Sequence, residues 1–176
     1  MGRFLLGVIV TLLVLVGTGL VVIYSGTYSI AATEPHSGLV RWAFGATKHN
    51  SVIEQSAGIS APPLDSPERV ARGREEYGHM CVGCHGGPDR PRGPAGKGLN
   101  PAPPEIPHAV EEYTPAQLFW IVKHGIRMTG MPAWGETHDD EELWDVVAYI
   151  IHGWSPPANA ERGNDKRDDG EAVHDG

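Results

Sequence analysis

Cysteine is almost absent from this 176-residue sequence: two stand at Cys81 and Cys84, and no other is present. A structural zinc site usually takes four N or S ligands. No second cysteine pair exists to complete one, although His79 is a nearby donor. A thioredoxin-like redox pair would need a βαβ surrounding, and the flanking chain does not read that way. Basic charge is also scarce, with 14 Lys and Arg against 22 Asp and Glu and a net charge of −8. That balance argues against a nucleic-acid partner, which wants a basic face, and favours a partner with a positive docking surface. No internal repeat is visible. Charge is missing altogether between Arg3 and Glu34.

Within that uncharged stretch, residues 4–24 (FLLGVIVTLLVLVGTGLVVIY) form an apolar run of about 21 residues, enough to cross a bilayer core. A secretory signal has a shorter apolar centre, although Ser29-Ile30-Ala31 resembles a small-x-small cleavage site. A buried core helix is the poorer alternative, because nothing else in the chain could surround such a cylinder. The run is therefore expected to be an uncleaved N-terminal anchor, with residues 1–3 cytoplasmic by the positive-inside rule.

The two cysteines belong to Cys81-Val82-Gly83-Cys84-His85. C-x-x-C-H is the attachment pattern for c-type haem: two thiols for the vinyl groups and an adjacent imidazole for the iron. With two Cys and nine His in the chain, chance placement produces it in about one shuffle in two thousand. Both cysteines are then consumed as thioethers, so no disulfide remains to report the redox compartment.

Residues 25–65 read as a tether, ending in the stiff Ala61-Pro62-Pro63. Within it Leu39-Val40-Arg41-Trp42-Ala43-Phe44 is an apolar patch suited either to a membrane interface or to packing on the domain. A globular domain is expected over 66–154. Its first helix starts at Ser66 as cap and Pro67. Gly86 to Pro107 reads as a long irregular loop. A second helix runs from Thr114 and Pro115 to Gly125, and a third from Asp139, with Glu142 in capping-box position, to Gly153. Residues 155–176 read as a disordered acidic tail. A domain this small needs help beyond its apolar core, and a covalent haem would supply it.

A six-coordinate electron carrier needs a second axial ligand. Two methionines compete, Met128 and Met131, the second before Pro132, which holds it out of helix. His124 is a third candidate, although a helix-terminal His more often meets the helix dipole. Trp134 and Trp120 line a crevice or simply fill core. Arg90, Arg92, Lys97 and Arg127 are candidates to pair with haem propionates.

Over residues 67–153 the chain resembles class I c-type cytochromes, in particular single-haem, membrane-anchored bacterial ones of the cytochrome c6 and cbb3-subunit type. The resemblance rests on Cys81–His85, on Gly130-Met131-Pro132, and on Gly73 and Tyr77 in the first helix. It implies an all-α fold of about three helices around one covalent haem c, preceded by a transmembrane helix. It implies Gly73 and Tyr77 packed against the last helix near Val146 and Tyr149, Met131 as axial ligand opposite His85, and the Pro104 carbonyl as partner of His85. The haem of such proteins lies on the outer face of the bacterial inner membrane.

The expected function is single-electron transfer on the periplasmic face, by a protein that is not itself an enzyme. By analogy its redox partners are a quinol-oxidising complex or a dehydrogenase on one side and a terminal oxidase or reductase on the other. Two alternatives stand: a haem-based enzyme or gas sensor with a labile sixth ligand, and a cytochrome subunit of a larger membrane oxidoreductase.

Overall fold

The structure, a computed structural model, describes residues 1–154. The expected disordered tail at 155–176 lies outside the described residues. Every regular element among the described residues is helical, as the all-α expectation requires. The chain divides into two compact units, residues 1–35 and the residues from His36 onward.

The first unit is essentially one helix, α1 (Gly2–Ser25), 24 residues long. At 1.5 Å per residue it measures about 36 Å, longer than the roughly 30 Å hydrocarbon core of a bilayer. Its side chains are exposed all round, and its length and apolarity suffice to cross a membrane. Gly26 ends it in the left-handed region at φ 68°, a conformation that costs glycine nothing.

The second unit is built on α3 (Pro67–Met80), α7 (Pro115–His124) and α8 (Asp140–Ala148), the three helices expected from the sequence. The sequence carries their start signals. Ser66 Oγ accepts the Arg69 N–H at 3.3 Å. Thr114 and Gln117 close a capping box over α7, and Asp139 and Glu142 close another over α8 at 3.0 and 2.8 Å. Each satisfies backbone donors that a bare helix end would leave unpaired. Beyond Ala148 the chain continues as a π-helical turn, Tyr149–Gly153.

The core gathers on α8. Leu143, Val146 and Val147 are fully buried, and Phe119 of α7 stacks on Trp144 with ring centroids 4.1 Å apart. α3 crosses α8 at Gly73, which lies against the Asp145 carbonyl and the Tyr149 Cβ. One turn on, the Tyr77 ring meets Tyr149 at 5.3 Å and Trp154 at 5.4 Å. The crossing also buries a charge: Asp145, 4% exposed, accepts from Arg72 Nε at 2.6 Å and lies 3.0 Å from Arg69 Nη1. The Asp145 carboxylate accordingly raises the Arg72 pKa, by its hydrogen bond first and its charge second.

Two expectations need correction. The segment 25–65, read as a tether, contains α2 (Gly38–Ser56), a 19-residue helix that belongs to the second unit. Ser37 caps it by accepting the Val40 N–H at 3.4 Å. Val52 and Ser56, one turn apart, are buried, and Leu64 joins the same core. Lys48 lies over the Tyr113 ring at 5.5 Å. Burial of Val52 and Leu64, with Ile59 packed against them, drives this packing, so only residues 26–37 remain as linker. The loop 86–107 is likewise not wholly irregular. It holds α5 (Pro94–Gly98), and α6 (Ile106–Glu112) begins within it; both start with proline in the first turn, where its missing N–H costs nothing.

Candidate functional site

The cysteine motif folds as a single turn. α3 ends at Met80, Cys81 caps it, and α4 (Val82–His85) follows at once. The N–H groups of Cys84 and His85 both donate to the Cys81 carbonyl, at 3.1 and 2.9 Å. Gly86 ends the turn at φ 75°. The two thiols and the imidazole therefore project from one rigid element of five residues. Burial, with help from Cys84, pushes the Cys81 thiol up to about 12.

Two backbone-to-backbone contacts fix that turn from one side. A Cβ on Gly93 would come within 2.6 Å of the Gly83 carbonyl oxygen, and one on Gly96 would collide with the Cys84 backbone. From the other side the Tyr77 hydroxyl donates to the Gly86 carbonyl at 2.8 Å. Burial raises the Tyr77 pKa, so the donor keeps its proton.

His85 Nδ1 lies 3.1 Å from the Pro104 carbonyl oxygen. A carbonyl can only accept, so Nδ1 carries the proton and Nε2 keeps its lone pair. Burial lowers the His85 pKa against the raising pull of Pro104, which favours the neutral ring. Glu105, next to Pro104, accepts from Arg92 Nη2. The Nε of Arg92 is buried and has no hydrogen-bond partner among the described residues.

The loop that carries both Met128 and Met131 follows α7. Gly125, at φ 63°, sits so close to Met131 and Pro132 that a Cβ would lie 2.6–2.7 Å from their backbone. Ile126 N–H donates to the Met131 carbonyl at 3.3 Å, and Met131 N–H donates to Thr129 Oγ1 at 3.1 Å. The side chains of the two methionines diverge. Met128 adopts φ 61° and is 75% exposed, whereas Met131 is part-buried against the core. Gly130 touches the Leu99 side chain, which joins this loop to the segment that follows α5.

In a comparison with known families, the one described as cytochrome C oxidase, cbb3-type, subunit III matches residues 68–150. Residues 68–150 are a class I c-type cytochrome domain. A comparison with curated proteins gave no match. Cytochrome domains of this kind bind haem c covalently and transfer electrons through it. The residues of the turn fit that group: two thiols on one element and an imidazole with its second nitrogen held by a carbonyl. Met80, Cys81, Val82, Trp120 and Met131 pack on the core while remaining partly open.

Of the residues singled out from the sequence, the structure brings together Cys81, Cys84, His85 and Pro104. Met131 lies on the loop that Leu99 touches. Trp134 opens a 3₁₀ turn (Trp134–Glu136), packs against the core, and meets His138 edge-on at 5.7 Å. His124 contacts the Trp120 ring at 5.0 Å. The Tyr77–Gly86 bond and the Arg92–Glu105 pair were not foreseen. Tyr77 carried a signal, an aromatic polar residue one turn before the motif; the Arg92 pairing carried none.

Proposed function

We propose that the cytochrome domain is a membrane-tethered one-electron carrier in which His85 and Met131 would hold the haem iron. The observation that carries the reading is the 3.1 Å contact between His85 Nδ1 and the Pro104 carbonyl, which directs Nε2 as the only free donor of the ring. Haem c supplies one reversible electron between ferrous and ferric iron. The chain's residues do the rest. Cys81 and Cys84 hold the group covalently, Pro104 fixes the imidazole tautomer, and the Thr129 hydroxyl bonds the Met131 backbone in place. The orphaned Arg92 Nε–H suits an anionic acceptor such as a propionate.

Thioether ligation favours the reduced state relative to a second imidazole, and two protein ligands leave no position for a substrate. Transfer would proceed through a brief contact of small area. The length and apolarity of α1 support a membrane anchor, and in this reading the membrane is the cytoplasmic one, with the haem domain on its periplasmic face. Donors there are a quinol-oxidising complex or a dehydrogenase, and the acceptor is a terminal oxidase or reductase. The family description, an oxidase subunit, favours a second reading: a permanent subunit of a larger membrane complex. Co-purification in mild detergent separates the two.

The test is Met131→Ala beside Met128→Ala. The first abolishes the weak red absorption band that reports sulfur–iron ligation in the ferric protein and lowers the potential. The second changes neither. The reverse pattern would overturn the ligand assignment.

A further inference from the structure

The first half of α2 stands apart from the rest of its unit. Where Val52 and Ser56 are buried, Leu39 is 72% exposed, Trp42 69% and Phe44 54%. Ile53 is 44% exposed, and Leu39, Trp42 and Ile53 fall on one side of the helix by its 3.6-residue period. The sequence left open whether this patch packs on the domain; among the described residues Leu39, Trp42 and Phe44 stand exposed instead. The charge pattern is equally local. In a chain of net charge −8, residues 38–53 hold Arg41 and Lys48 and no acidic residue.

We infer that this first half of α2 lies in the headgroup region of the lipid bilayer that α1 spans. The inference rests on the reading of α1 as a membrane span. Three observations favour lipid over a protein occupant. The linker of residues 26–37 reaches at most about 43 Å when fully extended, so the patch cannot leave the bilayer's neighbourhood. Trp42 and Leu39 beside Arg41 is the composition of an interfacial helix, with an amphipathic ring at headgroup depth and a cation that reaches outward. The local positive charge, inside an acidic protein, complements anionic phospholipid. This contact would hold the domain in one attitude at the surface rather than leaving it to swing.

The full-length holoprotein, reconstituted in nanodiscs of phosphatidylcholine and phosphatidylglycerol, provides the test. Its own cysteines are consumed by haem, so a nitroxide label goes only to an introduced one. Leu39→Cys, Trp42→Cys, Val14→Cys in α1 and Gln55→Cys at the far end of α2 are labelled singly. Collision with oxygen, which partitions into lipid, is compared with collision with a water-soluble nickel chelate. The expected result is a preference for oxygen at positions 14, 39 and 42 and for nickel at 55. Nickel access at 39 and 42 with oxygen preference retained at 14 would overturn this inference and leave the span intact. Nickel access at 14 would overturn the span and this inference with it. Shielding of 39 and 42 from both reagents would assign the patch to a protein partner or a second copy, and would also overturn it.

Discussion

Two glycines of α3 invite opposite outcomes from the same substitution. Both Gly73 and Gly78 are interior to the helix, where alanine is favoured over glycine by about 0.5–1 kcal/mol on backbone grounds. At Gly78 nothing lies within 4 Å of the added methyl group, so Gly78→Ala should gain that amount. At Gly73 the methyl would lie 3.0 Å from the Tyr149 Cβ and closer still to the Asp145 carbonyl. Carbon atoms pack comfortably at about 3.5–4.0 Å, so α3 and α8 must part. The obstacle is backbone, which no rotamer change can remove. Overpacking of this kind costs about 1–3 kcal/mol and more when the backbone must move, which outweighs the helix-propensity gain. A net loss of about 2 kcal/mol corresponds to a fall in Tm of about 8–16 °C for a domain of this size. Thermal melts of the two holoprotein variants, followed by far-ultraviolet circular dichroism, measure it. If Gly73→Ala melts within about 3 °C of the parent, the helix crossing is not as close as described and the reasoning fails.

Other perturbations address separate links. Tyr77→Phe removes the donor to Gly86 and leaves a buried carbonyl unpaired, at about 1–3 kcal/mol; denaturant unfolding measures the loss, and an unchanged midpoint would dismiss the bond. Asp145→Asn keeps the shape but strips the charge from two arginines, of which Arg69 is mostly buried. The expected loss is about 2–3 kcal/mol, again read from unfolding midpoints. Glu68 titrates below its ordinary range, chiefly through its backbone hydrogen bond and then the Ser66 hydroxyl. A depressed folded-state pKa stabilises above the unfolded value and loses that stabilisation as pH falls through the folded one. Glu68→Gln should therefore flatten the acid limb of a stability–pH curve, slightly, because the group is exposed. Replacing Cys81 and Cys84 by alanine should let acidified acetone extract the haem that the parent retains.

Legibility in the sequence followed the range of the signals. Caps and terminators are local, so Ser66, Thr114, Asp139 and Gly125 located the three main helices to within a residue or so. The cysteine turn was readable for the same reason, and Pro104 followed from family resemblance. α2 was missed although Ser37 and the Val52/Ser56 spacing were in view, because its exposed apolar half and basic residues imitate a surface segment. α5 was missed because a helix of five residues, rich in Gly and Pro, has no periodicity to detect. Arg92 with Glu105, and Leu99 with Gly130, join residues whose meeting depends on how the loop returns, which no local pattern encodes.

That loop has a further consequence for anyone altering the protein. Composition marks Gly93-Pro94-Ala95-Gly96 as filler between better-defined parts. Yet Gly93 and Gly96 meet the backbone of Gly83 and Cys84 with no side chain between them. The orientation of the thiols is thus set by a mould made of bare main chain. A stretch that looks dispensable leaves the least room for drift, because even the smallest ordinary side chain would pry the mould open.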